Sequence, residues 1–302
     1  MVIFERRIGG PVRYFRMFFP REDQVAEFAR SLRTLDVLRV VWGPTGLSNE
    51  VSPIARGWSQ TSIVDLSKGQ EAIYAGMHTN CRYKVRRAEK MRDRFEIVMN
   101  TEAARADFFS LYSTFALSKR YLPRLKPHRF NEYLPHADVF VLYFEGHPTC
   151  GRLVLRDEES RTALMLYSAT RRLEQGADTI TVGLLNRYLH WHEMKTYQAA
   201  GIEKYDFGGV GPRGVSLSNF KMSFGGELSP FSIYLYAGSA RPVWKLAYSF
   251  YTRWKGESLR YTTWAREAST DKGILARQAS DGQSALIAPP QRPSAAHRRG
   301  LA

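Results

Sequence analysis

The chain has 302 residues, 44% of them hydrophobic and 13% aromatic, with 44 Lys+Arg against 29 Asp+Glu for a formal charge of +15. That content is globular, enough for one large domain or two small ones, and it excludes a disordered chain. The charge favours polyanionic partners, namely nucleic acid, an anionic membrane face or phosphorylated substrates, and two cysteines, Cys81 and Cys150, exclude a disulfide framework and lack metal-ligand spacing.

Glu5, Arg6 and Arg7 interrupt the only apolar start, and the longest purely apolar run, Val139–Phe144, is too short to span a bilayer. The expectation is a cytoplasmic protein without a transmembrane segment, working at the inner face of the cell membrane. Apolar runs Tyr14–Pro20 and Val37–Trp42 flank a helical stretch, Glu22–Leu35, in which Val25, Phe28, Ala29 and Leu32 recur at helical spacing, so a strand–helix–strand unit is expected, closed by Gly43-Pro44. A looser segment, Leu47–Ser59, precedes a strand over Thr61–Leu66. Ser67 and Gln70 have the spacing of a capping box for one long helix that runs to Arg94. Its core stripe is Ile73, Tyr74, Met77, Cys81, Val85, Ala88 and Met91. Arg82, Arg86 and Lys90 line the opposite side, and Cys81–Arg94 carries seven basic residues against two acidic ones. Lys84 projects into the apolar arc, where it either snorkels or reaches a cavity that holds an anion.

Phe95–Met99 reads as a strand, and Thr101 caps a helix through about Tyr121 with Phe108, Leu111, Tyr112 and Phe115 inward. Leu122–Pro135 is a basic loop around a short helix, a candidate lid. Asp138–Phe144, Thr149–Arg156 and Arg161–Thr170 form an antiparallel meander with tight turns. Gly176–Ala200 is a helix with Ile180, Leu184, Tyr188 and Trp191 on its packed face, and Gly201 ends it. His190 and His192, two residues apart, point to different sides, so no metal site is expected.

Glu203–Phe207 returns as a strand into YDFGGVGPRGVSLSNFKMSFGGEL, Tyr205–Leu228, where Gly208, Gly209, Gly211, Gly225 and Gly226 bracket a short amphipathic segment ending in Phe220-Lys221. Gly-Gly pairs leaving a strand either relieve a tight connection or let a ligand approach the backbone. Phe231–Tyr236 is a closing strand. Arg241–Ala265, with Trp244, Tyr248, Phe250, Tyr251, Trp254 and Trp264, is a basic aromatic helix or helix pair. It either docks on the core or meets a membrane surface or partner. From about Ser269 the composition is that of a disordered tail.

TSIVDLS, then CRYKVRRAEK on a helix, then AAGIEKYDFGGVGP and FKMSFGGEL closely resemble the Fem-type (FemABX) branch of the GNAT-fold acyltransferases, over roughly Thr61–Tyr236. The resemblance implies an α/β (α+β) fold with a GNAT-like mixed, largely antiparallel sheet flanked by helices and a partial second GNAT-like half at the N-terminus. The expected layout is a truncated N-terminal half at 1–100, a catalytic half at 101–238, a basic aromatic helix at 239–267 and a tail at 268–302. The implied activity is N-acyl transfer from an activated aminoacyl or acyl donor, best aminoacyl-tRNA, to an amine of a cell-envelope or related precursor, phosphate- or lipid-linked, with no cofactor. Lys221 matches the family lysine that stabilises the oxyanion. Asp206 orients the amine or relays its proton, or else anchors the turn. Arg82, Lys84, Arg86 and Arg87 are candidates for donor or acceptor phosphates, and Tyr205, Gly208, Gly209 and Phe220 complete the substrate-binding set.

Coenzyme-A users of this superfamily hold pyrophosphate on a Gly-rich loop at a helix N-terminus. Here that place reads Arg171–Ala177, with its glycine out of register and Glu174 and Asp178 adding negative charge, which disfavours CoA. An acyl-CoA-dependent N-acyltransferase of polysaccharide or natural-product biosynthesis stays open. So does a non-catalytic module that binds RNA or anionic membrane.

Overall fold

A computed structural model describes residues 1–8, 10–43, 51–119, 122–210 and 216–255. β1 (Val2–Arg7) and β2 (Arg13–Phe18) form a hairpin, and α1 (Glu22–Arg30) crosses over to β3 (Val37–Gly43), which runs parallel to β2. β1 has no counterpart in the sequence reading, because its Glu5-Arg6-Arg7 end hides a short alternating strand. α1 stops at Arg30 rather than Leu35. There the Ser31 amide bonds to the Glu27 and Phe28 carbonyls, and Asp36, ion-paired to Arg13 at 2.5 Å, draws in the Arg33 N–H at 2.9 Å. Val25 and Ala29 of α1 pack with Phe15, Met17, Leu38 and Val40 into a small core of their own.

The strand expected at Thr61–Leu66 is the end of a longer β4 (Ala55–Asp65). The long basic helix after it is in fact two, α2 (Gln70–Gly76) and α3 (Thr79–Glu89). Ser67 is no helix cap. Asp65 takes the Ser67 N–H at 3.0 Å to hold a 3-10 turn, and Gly69, at φ +85°, starts α2. The break comes at Met77, whose backbone is extended, and the His78 N–H then bonds to the Ser223 carbonyl at 3.0 Å. The turn before the last strand fits into this break. A Cβ on Gly225, at φ +80°, would lie 2.5 Å from the Gly76 carbonyl oxygen. Gly225→Ala is therefore expected to lower stability by about 2 kcal/mol or more, strain and clash together, whereas Gly69→Ala, with open space around it, loses only the smaller strain of a positive φ. Urea unfolding midpoints of the two variants measure the difference.

β5 (Phe95–Met99) leads to α4 (Glu102–Ser118), capped by the Thr101 hydroxyl on the Ala104 N–H at 3.1 Å, and then to the short α5 (Pro127–Tyr133). The meander follows as β6 (Ala137–Phe144), β7 (His147–Asp157) and β8 (Thr162–Thr170). α6 (Thr179–Ala199) returns the chain to β9 (Lys204–Gly209), which is followed by α7 (Ser216–Met222), β10 (Glu227–Ala237) and α8 (Arg241–Lys255). Ile180, expected on the packed face of α6, is exposed, and the buried residues of the helix begin at Val182. The expected tail and the second half of the aromatic stretch lie outside the described residues.

Among the described residues ten strands form one sheet in the order β1-β2-β3-β10-β4-β9-β8-β7-β6-β5, and of its neighbouring pairs β2–β3 and β8–β9 run parallel. β10 does not close an edge. It lies between β3 and β4, antiparallel to both, and joins the N-terminal strands to the rest. That is why β4 starts at Ala55, since Arg56–Gln60 find their partners in Pro230–Tyr234. α2, α3 and α6 share a core on one face of the central strands, and α4 and α5 share another with β6–β8. Among the described residues no helix is long and apolar enough to cross a membrane.

Candidate active site

β8 and β9 pair over three positions only, Thr162↔Lys204, Ala163↔Tyr205 and Leu164↔Asp206, and then part. The gap opens where β9 reaches Gly208. This residue holds φ +72°, and a Cβ here would approach the Met165 carbonyl of β8 to 3.2 Å. Asp206 is buried, and one of its carboxylate oxygens accepts the Gly208 N–H at 2.7 Å and the Thr61 hydroxyl. The turn-anchoring geometry is thus present, made by a β4 residue, Thr61, that sequence reasoning did not single out. From α7, Lys221 enters the same place with only 6% of its surface exposed and donates to the Gly209 carbonyl at 2.7 Å. Burial pushes its ammonium down to about 8, against the opposing pull of the Asp206 charge. A desolvated cation beside a gap between two strands is suited to stabilise negative charge that develops on a bound carbonyl.

Tyr205, one residue before Asp206 on the strand, turns to the other face. Its hydroxyl donates to Glu193 and lies 3.0 Å from His190 Nδ1. Arg152 of β7 completes the cluster. Its Nε approaches His190 Nε2 at 3.2 Å and Glu193 Oε1 at 3.5 Å, and its Nη2 donates to Asn186 Oδ1 at 2.7 Å. Arg152 and Glu193 are both 0% exposed. Burial raises Glu193 to about 7 although Arg152 favours its charge. Burial, reinforced by the charges of Arg152, Lys221 and Arg187, holds His190 well below 6.5, so it is neutral. The rings of Phe207, Phe224 and Phe220 lie 4.8, 5.1 and 5.6 Å from the His190 ring, which makes this cluster the floor next to Lys221. In sequence His190, Glu193 and Arg152 look like ordinary polar positions. Only the α6–β7–β9 packing makes them one network.

The basic residues separate into three groups. Arg82 braces the α2–α3 break, donating to the Ala75 carbonyl at 2.6 Å, to the Met77 carbonyl, and to Thr79 Oγ1 at 3.2 Å. Arg86 and Arg87 are exposed, with Arg87 5.8 Å over the Tyr83 ring. Lys84 is half-buried where α3 packs on α6, and its ammonium is lowered by burial and then by the charges of Arg187 and Arg172. Arg187 lies 4.7 Å over the Phe220 ring, and its buried Nε has no hydrogen-bond partner. Among the described residues no carboxylate forms an ion pair with Lys84, Arg172 or Arg187. The structure thus gathers Phe220, Asp206, Gly208, Gly209 and Lys221, adds Arg187 over the Phe220 ring with Lys84 beside it on α3, and leaves Arg86 and Arg87 in solvent. The signal for Arg187 is a lone arginine within the apolar middle of α6.

The loop before α6 is closed on itself. Arg171 pairs with Glu174 at 2.6 Å. Asp178 caps the helix, accepting the Ile180 and Thr181 N–H groups at 3.0 and 3.1 Å, so two of its first free donors are already taken. His190 and His192 diverge as their spacing requires, the second facing the Phe140 ring.

Residues 75–222, from the end of α2 through α7, match the family model described as an acetyltransferase (GNAT) domain. Residues 75–222 thus carry a GNAT-type domain, and the protein is an acyltransferase. Its fold is similar to that of FemX, with a TM-score of 0.56 and 13% identity over 80% of this chain and 84% of that one. It is also similar to that of L-PGS from Bacillus licheniformis, with a TM-score of 0.50 and 12% identity over 81% and 83% of the two chains. No curated protein matches the sequence.

Proposed function

We propose that the protein is a Fem-type N-acyltransferase that takes an aminoacyl group from aminoacyl-tRNA and forms an amide with an amine of a cell-envelope or related precursor. The observation that carries this reading is the state of the α6 N-terminus. Its Ile180 and Thr181 N–H groups are held by Asp178 and the Arg171 side chain by Glu174, which leaves a CoA pyrophosphate fewer donors than it uses in other GNAT enzymes. Lys84, Arg172 and Arg187, with no carboxylate partner among the described residues, suit the phosphodiester of an RNA 3′ end instead.

In this reading the donor carbonyl lies in the gap between β8 and β9. The neutral amine attacks it, a C–N bond forms, and the oxyanion is stabilised by the Lys221 ammonium. Collapse breaks the ester C–O bond, and the departing ribose oxygen takes up the proton that the amine loses. Asp206 holds the Gly208 turn and with it the position of Lys221. Residues 101–238 form the catalytic half and 1–100 a truncated partner half. The site of action is the inner, anionic face of the membrane, where phosphate- and lipid-linked acceptors lie.

Thermal shift tests the donor. A ligand that binds only the folded state stabilises it by about 2.7 kcal/mol at a hundredfold excess over its Kd. A non-hydrolysable aminoacyl-tRNA acceptor-stem analogue is expected to raise Tm, and acetyl-CoA to leave it unchanged. A shift with CoA alone would assign the acyl-CoA reading. Salt-sensitive RNA binding without turnover of either donor would assign the non-catalytic one.

A further inference from the structure

α8 is anchored to the body along one side. Trp244 and Tyr248 are half-buried and Thr252 is buried, all three on one arc of a helix with about 3.6 residues per turn. On the opposite arc Val243, Leu246 and Phe250 are 66%, 60% and 62% exposed and form a contiguous apolar strip. Lys245, Ser249 and Arg253 run along the other flank, also exposed. Arg241–Lys255 holds four basic residues and no acidic one.

We infer that this exposed face of α8 docks on an anionic phospholipid surface, with Val243, Leu246 and Phe250 entering the headgroup boundary and Lys245 and Arg253 meeting the lipid phosphates. The charge decides between occupants. A second copy of the helix would set two rows of Lys245 and Arg253 side by side. Residues 256–302, with seven Lys/Arg against four Asp/Glu, are also net positive and would be repelled. An anionic bilayer complements the apolar strip and the basic flank together, the pattern of helices that lie in an interface rather than cross it. The inference rests on α8 alone, so the acyl-transfer reading survives its failure.

Co-sedimentation of the full chain with vesicles provides the test. The wild type is expected to bind vesicles of phosphatidylcholine mixed equally with phosphatidylglycerol, and not phosphatidylcholine alone. Leu246→Glu with Phe250→Glu should weaken that binding by about tenfold or more with an unchanged melting curve, and Lys245→Glu with Arg253→Glu should remove its salt dependence. Wild-type protein that stays in the supernatant, or a double glutamate variant that binds as well as wild type, overturns the inference. So does a wild-type dimer that the glutamates convert to monomer, which assigns the face to a second copy, or glutamate-induced protease sensitivity after residue 255, which assigns it to the chain's own C-terminal segment.

Discussion

Lys221→Met is expected to reduce acyl transfer by about a hundredfold to a thousandfold, the range found when one oxyanion-stabilising donor is removed, and at the same time to make the protein more stable. The second effect follows from the direction of the shift. Burial lowers the Lys221 ammonium from its ordinary 10.5 to about 8, so below pH 8 the folded state carries a charge that water would solvate better. That penalty is complete at neutral pH and fades as pH rises from 8 towards 10.5. It amounts to about 3 kcal/mol, from which about 1 kcal/mol is subtracted because methionine leaves the Gly209 carbonyl without its donor. A net gain of about 2 kcal/mol in urea unfolding at pH 7, shrinking above pH 9, is the expected result. Activity should fall as pH rises through 8, when the lysine loses its proton, and Lys221→Arg should move that limb upward if it retains any activity. A variant with full activity and unchanged stability would remove Lys221 from the site.

Arg152→Met is expected to be the most destabilising single change in the floor of the site, at about 3–5 kcal/mol, because it strands Glu193 as an unpaired buried carboxyl. Glu193 titrates near 7, above its ordinary 4.5, so its burial is unfavourable once pH exceeds 4.5, and the penalty grows up to about pH 7. Without Arg152 that growth continues to higher pH. The variant should therefore be nearest to wild type in mild acid and furthest from it above pH 7. Adding Glu193→Gln removes the stranded charge and is expected to restore more than half of the loss. A double-mutant cycle over urea midpoints at pH 5.5 and 8 measures the coupling, and additive losses would show that Arg152 and Glu193 do not act as a pair.

The meander, α4 with its Thr101 cap and the glycine turns at Gly208 and Gly225 were readable because each rests on local signals, namely alternation, a capping residue and paired glycines. The break between α2 and α3 was not. The apolar stripe from Ile73 to Ala88 keeps helical phase across Met77, and it is Gly225 and Ser223, far along the chain, that wedge the helix open. The central position of β10 is likewise a long-range fact, since its alternation looks the same with one neighbour or two. In the site, the glycines and Lys221 stood out by composition. His190, Glu193 and Arg152 did not, because a polar residue on a helix or strand gives no sign of burial until its partners arrive. Of the four basic residues singled out on α3, helical periodicity set Arg82 and Arg86 on the side away from the core, but it could not show that Arg82 turns back onto backbone carbonyls.

The insertion of β10 between β3 and β4 bears on the order in which the protein can be made. β3 and β4 are consecutive strands, yet the strand that fills the place between them is complete only when residue 237 has left the ribosome. Until then the growing chain holds two open strand edges that face one another, each a template for the wrong partner. Closing the sheet joins positions almost two hundred residues apart, as in the Leu235–Arg39 pair, which slows folding and ties the N-terminal strands to the last to be translated. Its assembly waits on β10, and a cell that makes this enzyme must shelter those edges until residue 237 has been made.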